Sequence, residues 1–211
     1  QGYSSAASDV YKRQIYNTME FLREQGFEIA YLPVDSYGCI SLEELSQAVR
    51  EDTILVSVMY VNNEIGAVEP VEEISKVIKA KNPKTLFHVD AIQAYGKYVI
   101  RPKKQGIDLL SVSGHKIHGP KGVGFLYIDE KAKVRPLLFG GGQQKGMRSG
   151  TENVPGCAGL GAAVREVYRD HEAKIEKLYQ IRERLIAGLK ELPGVTINGH
   201  EGRAVSYTHP E

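Results

Sequence analysis

The run ILVSVMYV at residues 54–61 decides how the rest of the chain is read. It is a nearly unbroken apolar stretch of strand length, the pattern of a β-strand buried on both faces rather than of a hairpin strand with one wet side. Such strands occur in parallel sheets, and parallel strands need helical crossovers between them. The flanking sequence supplies those crossovers. Downstream, residues 71–81 read as a helix that begins after Pro70, and residues 85–89 as a strand. A short helical turn follows at 91–95, then strands at 108–112 and 123–128. Upstream, residues 15–25 read as a helix ended by Gly26, and residues 27–34 as a strand. Residues 42–50 read as a helix that Ser41 caps, with Glu43 and Glu44 in its first turn. This alternation predicts an α/β fold with a mostly parallel sheet between helices, and right-handed crossovers place the strand C-termini along one ligand-binding edge.

From residue 154 to 192 the pattern becomes that of one long connecting helix with room for an interruption. Leu160, Val164, Val167, His171, Ile175, Leu178, Ile181, Leu185, Leu189 and Leu192 recur at steps of three and four. Pro193-Gly194 ends it, and residues 195–197 read as the first strand of a small second domain. The expected organisation is a large domain at 15–153, the connecting helix at 154–192 and the start of a small domain at 193–203. Residues 1–14 (QGYSSAASDVYKRQ) and 204–211 (AVSYTHPE) show no capped or periodic pattern. They are read as non-native terminal scars on a fragment and left out of the fold.

Composition bounds the function classes. A formal net charge of +1 over 211 residues gives no electrostatic reason to expect nucleic acid or an anionic membrane as partner. No apolar run has the length of a membrane span, and two cysteines are too few for a disulfide framework, so the expected compartment is the cytoplasm.

Four polar clusters fall where strands are predicted to end: NNEIG at 62–66, HVDAIQ at 88–93, SGHKIHGPKG at 113–122, and GGGQQKGMRSGTEN at 140–153. In the third, Lys116 sits between a small polar strand end and a Gly/Pro-rich turn. A lysine that forms a Schiff base needs such a setting, because its amine must be held in place and kept partly neutral. Pyridoxal 5′-phosphate (PLP) is the cofactor this points to. A PLP site also needs an acid for the pyridine nitrogen and donors for the phosphate. Asp90 and the set Ser113, His115 and Thr151 could fill those roles. Taken alone, Asp90 also reads as a cap for the turn at Ala91, and Asn62-Asn63 as turn chemistry. The triple glycine at 140–142 fits neither nucleotide-binding pattern. His115 and His118 lack a third ligand cluster, so no metal is expected. Cys39 and Cys157 read as ordinary small apolar residues.

VNNEIGAVEP, HVDAIQAYGK, SGHKIHGPKGVG and GGGQQKGMRSGTENVPG resemble, in order and spacing, the group I (NifS-like) cysteine desulfurases within the class V aminotransferases. The resemblance runs from about residue 15 to 202. It implies the fold-type-I PLP fold and a homodimer that takes sulfur from L-cysteine, leaving L-alanine and an enzyme persulfide for an acceptor such as an iron–sulfur scaffold. Residue by residue it makes Lys116 the Schiff-base lysine and Asp90 the partner of the pyridine nitrogen. It gives Gln93 to the phenolic oxygen, Asn63 to the substrate carboxylate, Ser113 and His115 to the phosphate, and Thr151 to the phosphate of the opposite subunit. The family's catalytic cysteine and substrate-binding arginine match no position here, which leads to the expectation that the fragment alone is inactive. A selenocysteine lyase or another class V aminotransferase is the rival within the fold, and a non-catalytic dimerising piece the rival outside it.

Overall fold

In the computed structural model, which describes residues 4–8 and 13–203, the strands are β1 (Ser4–Ser8), β2 (Glu28–Leu32), β3 (Thr53–Met59), β4 (Leu86–Asp90), β5 (Leu109–Ser113) and β6 (Gly124–Ile128). The helices are α1 (Arg13–Glu24), α2 (Leu42–Ala48), α3 (Val71–Lys81), the single-turn α4 (Pro102–Gln105), α5 (Val154–Tyr168) and α6 (His171–Lys190). The six strands form one sheet in the order β2-β1-β3-β4-β5-β6, parallel except for the antiparallel last pair. The α/β architecture with a mostly parallel sheet is therefore the one expected.

Local chemistry accounts for the element ends. The Ser41 hydroxyl accepts the Glu44 N–H and caps α2. Glu72 and Glu73 occupy the first turn of α3 and Lys79 and Lys81 its last, each complementing the helix dipole. Val71, Ile74 and Ile78 of α3 lie on one buried stripe. That stripe and Leu45 of α2 pack on alternate sheet residues, Val56, Val58, Phe87, Val89, Leu110 and Val112, to make the core. On the opposite face Tyr31 of β2 meets α1. Its ring stacks on Tyr16 at 5.6 Å and its hydroxyl donates to Glu20 at 2.8 Å. Tyr168 fastens α5 to the turn after β4, accepting from Gly96 N and donating to Tyr98 O, both at 3.1 Å.

Two expectations change and a third gains its place. Residues 4–8, left out of the fold as part of a terminal scar, form β1 between β2 and β3, parallel to both, with a register shift against β3 between Ser4 and Ser5. A strand in that place satisfies the backbone groups of its two neighbours, which requires peptide groups rather than an apolar side-chain pattern. The rest of 1–14 before residue 13, and all of 204–211, lie outside the described residues. The interruption for which the long helix left room falls at Asp170, whose φ of 49° is a left-handed conformation that breaks the α-helical path between α5 and α6. Leu178, Ile181 and Leu185 of α6 are more than half exposed, so the apolar stripe of that helix is not core among the described residues. Residues 195–197, expected as a strand, are not assigned to one. Arg182 holds the stretch that follows by donating to the carbonyls of His200, Glu201 and Gly202. Among the described residues no helix is long and apolar enough to cross a membrane.

Candidate functional site

The C-terminal ends of β3, β4 and β5 bring three of the four predicted clusters to one edge of the sheet. After β3 the chain turns at 62–66. The Asn62 side chain accepts from Glu64 N at 2.8 Å and Ile65 N at 3.0 Å, and Gly66 takes φ +70°. Asn62 thus builds the turn, which leaves Asn63 exposed at its tip, donating to Glu64 at 2.7 Å. Of the two asparagines, the candidate substrate residue is the exposed one.

Asp90 closes β4 and is 3% exposed. Its carboxylate accepts Ile92 N at 3.0 Å and so starts the turn that carries the half-buried Gln93. The expected cap and the expected ligand residue are one side chain. β5 runs into a 3-10 turn, Gly114–Ile117, which presents Lys116 and His115 to solvent. The Ser113 hydroxyl and His115 Nδ1 lie 2.7 Å apart, so the two predicted phosphate residues are already joined. Gly96 lets the Asp90 turn approach the Lys116 turn. Its φ is +83°, and a Cβ there would stand 3.0 Å from Ile117 Cγ2. Lys97, on the same turn as Gly96, has its amine pulled below the ordinary lysine range, first by partial burial and then by the charge of Lys116.

Thr151 belongs to the fourth cluster, outside these three strand ends. It is exposed, in a loop whose bonds are local: Ser149 donates to Gly141 O at 2.9 Å, and Gly150 N to Gln143 at 3.2 Å. The same loop leaves Leu137 88% and Phe139 82% exposed.

One set of polar residues was not singled out from the sequence. His88 Nδ1 lies 2.8 Å from the Ser57 hydroxyl of β3, and Nε2 lies 2.8 Å from the Ser111 hydroxyl of β5. Ser57, His88, Asp90, Ser111 and Ser113 occupy the sheet face opposite the core residues. The signal was a period of two, polar at 88 and 90 and again at 111 and 113, with Ser57 the polar residue inside an apolar strand.

Cys39 lacks the setting of a nucleophile. Burial, then the charges of Glu69 and Asp35, push the Cys39 thiol up to about 11. Cys157 is exposed on α5. Among the described residues no group of three or more His, Cys, Asp or Glu side chains could hold a metal. A cavity of about 600 Å³ lies elsewhere, lined by Tyr60, Glu69, Tyr98, Tyr179 and Arg182, and holds none of the predicted site residues. At the sheet edge, a buried carboxylate, an exposed amine and a hydroxyl–imidazole pair match the needs of a protonated pyridine ring, an aldehyde and a phosphate. The donor set fits PLP.

The aminotransferase class-V family model matches residues 14–208. A cysteine desulfurase IscS of Methanosarcina thermophila is 46% identical over 200 residues, covering 95% of this chain and 49% of its own length. Among solved structures, a NifS-like protein superposes with a TM-score of 0.82 at 41% identity, over 90% of this chain and 51% of that one. SspA in complex with cysteine superposes with a TM-score of 0.74 at 38% identity, over 78% of this chain and 47% of its own. The chain spans about half the length of the curated relatives it matches.

Proposed function

This chain belongs to the aminotransferase class-V family, and we propose that the protein it forms part of is a PLP-dependent cysteine desulfurase. The observation that carries this reading is the meeting of buried Asp90 with the Lys116 turn at one sheet edge, in a chain 46% identical to a cysteine desulfurase. The substrate proposed is L-cysteine and the products L-alanine and a persulfide sulfur, passed to an acceptor such as an iron–sulfur scaffold protein.

When bound, PLP supplies an electron sink conjugated to the substrate α-carbon. Lys116 would hold the cofactor aldehyde and, once displaced by substrate, carry the proton to and from the α-carbon. Asp90 would keep the ring nitrogen protonated, and Gln93 would donate to the phenolic oxygen. Ser113 and His115 would hold the phosphate together with Thr151 of a second copy, and Asn63 would orient the substrate carboxylate. A homodimer accounts for two observations at once: Thr151 is exposed on a loop separate in sequence from the strand end that carries Ser113 and His115, and Leu137 and Phe139 of its loop are almost fully exposed. The sulfur-accepting thiolate is assigned to neither Cys39 nor Cys157. The domain division proposed is a PLP-binding part at 15–153, a connecting helical region at 154–192 and the start of a second domain at 193–203.

The test is to supply L-cysteine to the full-length protein and measure alanine and persulfide sulfur together. Equal yields are expected, with loss of both, and of the visible absorption of bound PLP, in Lys116→Ala. Absorption unchanged in Lys116→Ala would refute the assignment. Turnover of L-selenocysteine alone would move the reaction to the selenocysteine lyases.

A further inference from the structure

Three strands of the site are tied by one imidazole. His88 lies at the centre of the sheet, with Nδ1 2.8 Å from Ser57 on β3 and Nε2 2.8 Å from Ser111 on β5. Neighbouring strands are about 4.8 Å apart. A ring with nitrogens on opposite sides can reach both neighbours at once, and the serine hydroxyls, each donor or acceptor, satisfy either tautomer. Ser57 is 3% exposed, so water does not readily replace its partner.

The place of Ser111 gives this chain of bonds a meaning beyond strand pairing. Ser111 is the register partner of Asp90 across the β4–β5 pair. Register partners in a parallel pair project to the same face, so the Ser111 hydroxyl and the Asp90 carboxylate are side by side. The backbone binds them as well: Ala91 N, directly after Asp90, donates to Ser111 O at 3.0 Å. A serine hydroxyl free to rotate would offer Asp90 a changing neighbour, and the bond to His88 Nε2 restricts it. We infer that His88 is a positioning residue, which acts through Ser111 to fix the surroundings and aim of Asp90 at the cofactor ring. The inference rests on the proposal that Asp90 faces the ring nitrogen of PLP.

Two substitutions separate this role from simple strand stapling. In the full-length protein loaded with PLP, His88→Gln keeps an amide near the Nε2 position and hence near Ser111. His88→Asn keeps one only near the Nδ1 position, towards Ser57. Groups that orient a ligand-binding side chain are commonly worth about 10- to 100-fold in affinity at metal sites. By that scale His88→Asn and His88→Leu are expected to raise the PLP dissociation constant about tenfold and to alter the visible circular dichroism of the bound cofactor, with His88→Gln staying within about twofold of the unaltered protein. Urea unfolding is followed alongside. If all three variants unfold earlier while affinity and dichroism stay unchanged, His88 is a staple only and the inference fails. Loss in His88→Gln equal to that in His88→Leu would overturn the route through Ser111. An unaltered full-length protein that binds no PLP would bring down the proposed function and this inference together. Normal binding that none of the variants changes would bring down this inference alone.

Discussion

Replacing Gly96 by alanine tests how closely the Asp90 and Lys116 turns must approach. Two costs add at this position. Gly96 has φ +83°, where a Cβ costs about 1–2 kcal/mol. The new methyl would also lie 3.0 Å from Ile117 Cγ2 and 3.1 Å from Val167 Cγ2. Carbon atoms prefer about 3.5–4.0 Å, and Ile117 is 2% exposed, so it has nowhere to swing. Overfilling of this kind costs about 1–3 kcal/mol. Gly96→Ala is therefore expected to destabilise by about 2–5 kcal/mol. Gly26 provides the control: its φ is +90°, yet a Cβ there meets nothing within 4 Å. Gly26→Ala carries only the conformational cost, about 1–2 kcal/mol. Urea midpoints of both variants in the full-length protein, with unchanged m-values, give the difference directly. Because Ile117 follows Lys116, PLP affinity should fall in Gly96→Ala and hold in Gly26→Ala. Equal destabilisation by the two variants would refute the packing argument.

Asp108 joins two elements, accepting Phe87 N at 2.7 Å and pairing with Lys79 at 2.6 Å. Asp108→Ala, which leaves both without it, should cost about 2–3 kcal/mol in urea unfolding; Lys79→Met, which keeps the bond to Phe87 N, should cost about 1 kcal/mol. If the proposed dimer forms, glutamate in place of Leu137 or Phe139 should turn it into monomer by sedimentation velocity, with α-helical circular dichroism unchanged; a dimer persisting in both variants would remove that loop from the proposed interface. The Asp35 carboxyl is held below the usual carboxylate range, chiefly by the Cys39 N–H, with further help from Tyr37 N–H. A lowered folded-state value means the stabilisation is present above the unfolded value of about 3.9 and is lost as the pH falls through the folded one. Asp35→Asn should therefore lessen the loss of stability below about pH 4, measured as urea midpoint against pH.

Much of the fold was legible because it rests on local rules. Residues 54–61 show a buried strand by apolar density, α3 by its stripe and by the preceding Pro70, and α2 by the Ser41 cap. The site was legible in part for the same reason: strand ends are local, and Asp90, Lys116 and the Ser113–His115 pair each sit at one. β1 was missed because an interior strand supported by neighbours on both sides needs no apolar signature of its own. The sequence left room for an interruption between α5 and α6 but not its place, because a single left-handed residue, Asp170, makes it, and nothing in the helical period marks that residue. Apart from β1 and the strand expected at 195–197, the sequence by itself determined the element types, their order and the mostly parallel character of the sheet, since period, capping and turn propensity depend on neighbours a few residues away. Only the tertiary structure decided that Ser57, His88 and Ser111 form one chain of bonds beside Asp90, and that Gly96 must stay small against Ile117. Those contacts join residues 21 to 31 positions apart in the chain, and cross-strand register, which no local pattern specifies, sets their distances.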